Sequence, residues 1–492
     1  MNTLSDVMQK QSTIKTTENG AIAYSTTNND MLDFFSLAGS MRNRESEDII
    51  EKFDLAYEEN PELAIKALFY IGDIRGGLGE RRTFRLCLRR LANTNPEVVK
   101  RNIHLIPEYN RWDSVFELFG TDVEGIALDF ILHQFIKDVT NKNEGKPISL
   151  LAKWLPSENA SSTKTKLFAK KIRKGLGLSS KGYRQHLSSL RKYLDVVETH
   201  MSANDWTNIK YENVPSNAMM RYRNAFYNHD NEGMNTYMES VKSGEKKINS
   251  SVLYPYNIVH SYKDDYMWGT KKSVDDVLEE QWKALPDYVT DSNILVMADV
   301  SGSMLGRPLE TSVGLATYFA QRNKGAFHNQ YMTFTRYPHC ISIKDNWTLK
   351  KCIDYVMNKD TGCNTNLDAA FEYLLDMCTT NNIPQEELPS ALVVISDMEI
   401  DRFGREGHDW SFVDKWERKF TEAGYKLPKL IMWNVEARHD TFLSQNPNVL
   451  YISGQSTSTF QYFTAALNGK TAYDFMLDIL NSDRYSLIDT RI

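Results

Sequence analysis

The strongest constraint on how this chain can fold is a change of pattern near residue 291. Beyond it, short and largely apolar runs at 294–298, 330–334, 391–396, 429–433 and 449–452 alternate with amphipathic stretches at 307–322, 349–358, 367–378, 411–423 and 460–467. A strand that is apolar on successive residues must be covered on both faces. Such strands separated by helices predict a mostly parallel sheet layered between helices. Ligands of these sheets gather beyond the carboxyl ends of the strands, where the strand order reverses. Chemistry is therefore expected just after residue 298 and just after residue 396.

Both places carry what a hard cation needs. The first run ends in Asp299-Val300-Ser301-Gly302-Ser303, the run at 391–396 ends in Asp397, and Thr365 lies in a loop between them. Mg²⁺ takes oxygen ligands in near-octahedral geometry and keeps several waters. Two hydroxyls on alternate residues of one loop can face a common point, with Asp299 anchoring the loop. The simpler alternative is that Asp299, Ser301 and Ser303 cap the helix that begins near Pro308, since Asp and Ser are ordinary N-cap residues. Glu399 and Asp401 follow closely and could activate water beside an ion. The plainer expectation makes them acidic residues of a solvated loop.

The first half reads differently. From residue 30 to about 280 the periodicity is helical: Leu63, Ala67, Leu68 and Ile71 form one stripe, and Phe84, Leu88 and Leu91 another. Short helices joined by turns over this length predict an α-helical, HEAT-like repeat array. The expected fold class is therefore α + α/β. A polar N-terminal segment (1–30) precedes the helical module (31–285), and a Rossmann-like domain follows (290–485). The turn Arg75-Gly76-Gly77-Leu78-Gly79 follows a helix, so it is no P-loop. It is either a tight inter-helix turn or a phosphate cradle.

Charge is segregated along the chain. The net charge of -6 alone does not predict a nucleic-acid binder. Yet Lys164, Lys166, Lys170, Lys171, Arg173, Lys174, Lys181, Arg184, Arg191 and Lys192 occur with no Asp or Glu among them, and Arg221 and Arg223 follow beside Tyr222. Segregated Lys and Arg on helices are the electrostatic footprint of phosphate binding. Trp154, Tyr183, Tyr193 and Tyr222 are candidate stacking surfaces for unpaired bases. The other reading is a solvated cationic face, or one that docks on acidic parts of the same chain.

The five cysteines, Cys87, Cys340, Cys352, Cys363 and Cys378, include no C-x-x-C pair, and an odd count argues against a disulfide framework. No run is long enough to cross a bilayer, and residues 1–30 lack the apolar segment of a signal peptide. A cytoplasmic protein without membrane contact is expected.

Asp299-Val300-Ser301-Gly302-Ser303, Thr365 and Asp397 together resemble the metal-ion-dependent adhesion site of von Willebrand factor A domains, over about residues 292–484. The resemblance implies Mg²⁺, or another divalent cation, bound directly by Ser301 and Ser303. Thr365 would bind directly or through water, and Asp299 and Asp397 mostly through water. The Thr loop reads Gly362-Cys363-Asn364-Thr365 where many such domains have Gly-Gly-Thr, so a neighbouring ligand could replace Thr365.

A helical array followed by such a domain is similar in architecture to the Ro autoantigen (TROVE) family. The chain more closely resembles a plant, fungal and phage family of unsettled function. The residues that carry this are Asp73-Ile74-Arg75-Gly76-Gly77-Leu78-Gly79-Glu80-Arg81, 150–156, Tyr183-Arg184, Leu190-Arg191-Lys192, Ser396-Asp397-Met398-Glu399 and Asp483-Arg484-Tyr485-Ser486. What these resemblances imply is a monomeric ring that binds structured non-coding RNA on its basic helices, with no catalysis. A partner protein, or another carboxylate or phosphate ligand, would dock at the metal. The alternatives are a Mg²⁺-dependent protein-interaction module without nucleic acid, or a metal-dependent phosphoesterase.

Overall fold

The computed structural model describes residues 13–262, 273–289, 293–359, 364–402, 411–463, 467 and 469–492. Gly362 and Cys363 of the expected Thr loop, residues 1–12, and 464–466 of the expected helix at 460–467 lie outside the described residues. The expected α + α/β architecture is the one observed.

The sheet contains β3 (Ile294–Asp299), β4 (Gln330–Phe334), β5 (His339–Ser342), β6 (Ala391–Ser396), β7 (Lys429–Asn434) and β8 (Leu450–Ser453), in the order β5-β4-β3-β6-β7-β8. All neighbours are parallel except β5, which runs antiparallel to β4. Every residue of β3 and β6 is buried, as continuous apolar strands under two helical layers must be. The order reverses between β3 and β6, so Asp299 and Asp397 leave the sheet side by side. The edge strand β5 escapes the sequence reading because it is only four residues long and buries only Ile341 fully, too little for an apolar run or an alternation to show.

Before the sheet, successive helices pack on one another: α1 (Asp30–Leu37), α2 (Ser46–Glu59), α3 (Pro61–Gly72) and α4 (Arg81–Thr94). Then α5 (Glu124–Asn143) supports both α6 (Thr163–Gly175) and α7 (Ser180–Tyr193). A second, smaller apolar core holds α8 (Ser216–His229) and α9 (Asn231–Lys242) around Phe226, Met234 and Tyr237.

The helical part both begins and ends on the sheet domain. At its start, the Gly39 amide donates to Ser453 Oγ (2.9 Å) and the Ala437 amide to Ser40 O (3.1 Å). At its end, the carboxylate of Glu279, in α10 (Asp276–Lys283), accepts the Leu349 and Lys350 amides. Just before α10, helix Pro255–Ser261 packs on α11 (Arg307–Arg322) of the sheet domain. Leu349 and Lys350 open α12 (Leu349–Lys359), and α13 (Leu367–Thr380), α14 (Phe412–Glu422) and α15 (Ala472–Leu480) follow it in the chain. One continuous apolar core runs through both parts.

The N-terminal segment is more than a polar leader. Its strands β1 (Ile14–Thr16) and β2 (Ile22–Tyr24) form an antiparallel hairpin that lies against the chain after β6, with the bridge Gly20–Asp401, and against the chain after β7, with the bridge Tyr24–Phe442.

The glycine-rich turn is a packing device. A Cβ on Gly77 would stand 2.0 Å from Tyr70 O, and one on Gly79, at φ +64°, 2.0 Å from the Tyr254 hydroxyl. Only glycine fits where the backbone approaches so closely. Arg75 donates to Glu108 O (2.6 Å), which ties it to a neighbouring turn.

Candidate metal centre and basic surface

Asp299 sits fully buried at the carboxyl end of β3. Its Oδ1 accepts the Ser301 amide (2.9 Å) and its Oδ2 accepts the Ser396 hydroxyl (2.7 Å), which stitches the β3 loop to the end of β6. The Ser301 and Ser303 hydroxyl oxygens are 3.1 Å apart, close enough to share one ion. Asp397 is buried beside them. Burial, and then the negative charge of Asp397, push the Asp299 carboxyl well above the usual range. A buried carboxyl raised in this way beside a second carboxylate is relieved by a cation, so this donor set fits a divalent ion.

Thr365 is also buried. Its amide donates to Asp401 Oδ2 (3.1 Å), and its carbonyl accepts the Asp401 amide (2.9 Å). The Thr loop is thereby pinned to the loop that carries Asp397. Asp299, Ser301, Ser303 and Asp397 form one hydrogen-bonded group by way of Ser396, whereas Thr365 makes no hydrogen bond to that group among the described residues and is tied to Asp401, four residues along the chain from Asp397. The N-cap alternative is not what the serines do, because the first residues of α11 receive no side-chain cap; Gly306 occupies that position.

Arg438 is a member of the site that sequence reasoning missed. Its Nη2 lies 2.5 Å from Asp397 Oδ2 and its Nη1 3.5 Å from Glu18 Oε2. A guanidinium therefore already offsets one of the two carboxylates, and it comes from the chain after β7, where no motif marks it.

Glu399 is not in a solvated loop. It is buried, with Oε1 accepting the Thr441 hydroxyl (3.0 Å) and Oε2 the Glu18 amide (2.6 Å). Of the two oxygens that would have activated water, one holds the N-terminal hairpin and the other the chain after β7. The Thr17 hydroxyl and the Asn19 amide group donate to the carbonyls of Ile400 and Glu399 (2.7 and 2.6 Å). Just before Glu399, Met398 adopts φ +65°, an uncommon conformation for a residue with a side chain, which the bonds of the Met398 and Glu399 amides to Ser396 and Asp397 hold in place. Asp401 is half-buried and receives Thr365.

The basic residues divide into two groups. Arg173 pairs with Glu158 (2.8 Å) and donates to Leu178 O. Arg191 donates to Ala152 O and Leu155 O (2.9 and 2.8 Å), and Arg223 pairs with Asp275 (2.6 Å). These three hold the fold. Lys164 pairs with Glu117 and Lys171 with Glu124. Lys166, Lys170 and Lys174 on α6, and Lys181, Arg184 and Lys192 on α7, have no acidic partner among the described residues. All but half-buried Lys166 are exposed. Spacings of four and eight residues on α6, and of three, eight and eleven on α7, put each set along one solvent stripe. Arg221 is exposed as well, but it stands on α8 within the second core, apart from α6 and α7.

Two expected stacking surfaces are already used. Tyr183 is buried and donates to Pro156 O (3.0 Å). Trp154 carries the Arg111 guanidinium 4.0 Å above its ring. Tyr193 is exposed and Tyr222 half-buried, each donating its hydroxyl to a neighbour. Among the described residues no helix is long and apolar enough to cross a membrane, and Cys87, Cys340, Cys352 and Cys378 are free thiols.

Two family models match the chain. One described as domain of unknown function DUF2828 matches residues 17–112 and 130–295, and one described as domain of unknown function DUF7788 matches residues 293–476. The uncharacterized protein L728 of Acanthamoeba polyphaga mimivirus is 28% identical over 466 residues, which cover 87% of this chain and 80% of that protein. Among solved structures, the Ro (RSR) protein of Deinococcus radiodurans is similar over 92% of each chain, with 12% identity and a TM-score of 0.35.

Proposed function

The chain belongs to the family described as domain of unknown function DUF2828, whose match spans more than half of it, and from that premise we propose that the protein is a scaffold for structured non-coding RNA. The observation that carries this reading is the pair of stripes on α6 and α7: Lys166, Lys170, Lys174, Lys181, Arg184 and Lys192, on helices packed on one common helix, without acidic partners among the described residues. Like charges held together on folded helices repel one another, and a polyanion removes that cost. The direct test is a titration of a structured RNA against the wild type and a Lys170→Glu/Lys174→Glu/Lys181→Glu/Arg184→Glu variant at several salt concentrations. Binding should fall steeply with salt and collapse in the variant. Equal binding by both proteins would sink the reading.

Asp299, Ser301, Ser303, Thr365 and Asp397 would hold Mg²⁺ or a similar divalent ion. When bound, the ion offers a coordination position to a carboxylate or phosphate oxygen from outside. Leu305, 66% exposed two residues beyond Ser303, favours a protein as that partner, because an apolar side chain at the rim gains only from burial. The protein acts as a binding module and not as a catalyst in this reading, since Glu399 is committed to the hairpin. A monomeric ring working in the cytoplasm, away from membranes, completes the proposal.

A further inference from the structure

A second cluster of charge lies where the helical part meets the sheet domain, four residues beyond Ser303. Arg42, in the chain after α1, places Nη2 2.5 Å from Glu80 Oε1 and donates to Gly39 O (3.0 Å). Arg307, the first residue of α11, lies 3.8 Å from the same Glu80 oxygen and 4.3 Å above the ring of Tyr256, and its Nη2 donates to the side-chain oxygen of Gln455. Two guanidiniums thus share one buried carboxylate. Glu436 adds a negative charge to the field there and Arg81, adjoining Glu80, a further positive one, so three guanidiniums face two carboxylates and one positive charge is left in excess.

Hydrogen bonding in this cluster is incomplete in a consistent way. Arg42 Nε and Nη1, Arg307 Nε and Gln455 Nε2 are all buried and without an acceptor. The Arg42 side chain is only 9% exposed. All the missing partners are acceptors. Buried donors are normally satisfied, and a guanidinium leaves none of its five N–H groups idle without cost. Water would supply acceptors but would leave the excess positive charge uncompensated at low dielectric. An anion with several oxygens supplies both. Two further features point the same way: α11 is sixteen residues long, and its N-terminus has no side-chain cap, so its dipole and free amides favour an anion there.

We propose that Arg42, Arg307 and Gln455 form a binding site for a phosphate group at the junction of the two parts. A phosphate carries one to two negative charges, which offset the positive charge left over after Glu80 and Glu436, and presents oxygens in several directions to donors from three separate segments. The site rests on neither the cation centre nor the α6–α7 stripes. The phosphate has two possible sources, a free phosphate compound or the backbone of a nucleic-acid strand.

The test uses the full chain in EDTA, so that the cation centre plays no part. Inorganic phosphate is titrated by calorimetry and by thermal unfolding, at ionic strength matched with chloride. Phosphate should bind and raise the melting temperature of the wild type. Binding should be weaker by about tenfold or more in Arg307→Gln and in Gln455→Leu, and unchanged in the Lys170→Glu/Lys174→Glu/Lys181→Glu/Arg184→Glu variant. Arg307 is partly exposed, so its replacement leaves the buried Arg42–Glu80 pair intact, and circular dichroism checks the fold. In a second arm a short single-stranded oligoribonucleotide without terminal phosphate competes. Displacement assigns the site to a strand backbone, and lack of displacement assigns it to a free phosphate compound. Absence of any phosphate effect beyond chloride, or an equal effect in Arg307→Gln, overturns the proposal.

Discussion

Arg484 clasps the fully buried carboxylate of Asp73, with Nε 2.6 Å from Oδ2 and Nη2 2.8 Å from Oδ1, across 411 residues of sequence. The Tyr485 hydroxyl adds a third bond to the same carboxylate (3.1 Å), and the Tyr109 hydroxyl donates to Arg484 O (2.5 Å). This pair joins the end of α3 to the chain after α15, and it accounts for two segments, 73–81 and 483–486, that read in the sequence only as motifs. Removing Arg484 would leave Asp73 charged and buried. Arg484→Ala should therefore cost roughly 3 kcal/mol or more of stability, and Arg484→Lys, which cannot form the fork, should recover only part of it. Chemical denaturation of the three proteins measures this; a change below about 0.5 kcal/mol in the alanine variant would mean the clasp contributes little.

The cation centre gives a pair of opposite effects. Ser303 is exposed and its hydroxyl hydrogen-bonds only to Ser301 among the described residues, so Ser303→Ala should keep the fold and weaken Mg²⁺ or Mn²⁺ binding by about tenfold or more. Arg438 competes with any cation for Asp397, so Arg438→Ala should tighten binding by a similar factor. Calorimetric titration of both variants reads the result, and weaker cation binding in Arg438→Ala would show that the guanidinium supports the site.

Basic residues of the two groups should separate cleanly. Replacing Lys170, Lys174, Lys181 and Arg184 should leave the melting temperature nearly unchanged. The salt dependence of RNA binding should flatten by about 0.7–0.9 logarithmic units for each phosphate no longer neutralised. Arg191→Ala should instead lower stability by about 1–3 kcal/mol, since it leaves the carbonyls of Ala152 and Leu155 without their donor. Thermal unfolding beside a binding titration distinguishes the two behaviours.

Asp33 makes stability depend on pH. Its carboxyl is raised from 3.8 to about 6, chiefly by burial, against hydrogen bonds from Thr26 and Thr27 that lower it, and its Oδ2 has no hydrogen-bond partner among the described residues. The folded state thus holds this proton more tightly than the unfolded chain does. The contribution is most favourable below about pH 4 and is lost as pH rises from there to about 6, a change of roughly 2–3 kcal/mol. In Asp33→Asn, which keeps an acceptor for Thr27, that particular loss should vanish. Unfolding curves at pH 4, 5, 6 and 7 for both proteins provide the comparison, and parallel pH profiles would contradict it.

Much of the sheet was legible because burial on both faces leaves little freedom in composition: Ile294, Val296, Ala391 and Val393 can only be strand residues of a covered sheet. Asp299, Ser301, Ser303 and Asp397 were legible because the carboxyl ends of central strands are where polar side chains can converge. Arg438 and Glu18 were not, because they reach the same point from distant segments without periodicity or spacing to announce them. Glu399 misled for a related reason. An acidic residue in a loop looks solvated until a hairpin from the other end of the chain is laid over it. The basic run overstated its surface, since no local pattern separates Arg191, which braces carbonyls of a neighbouring turn, from Lys192, which faces solvent.

The helical span is fastened to the sheet domain over its first part, from Gly39 to Tyr109, and again over its last, from Pro255 to Glu279, so it is held like the handle of a jug. A strain applied midway, at α6 or α7, cannot be released by swinging one end. It is transmitted to both roots of the handle, one at Ser453 on β8 and the other at Leu349 where α12 begins. Any load gripped on the outer curve is thereby felt at both flanks of the sheet.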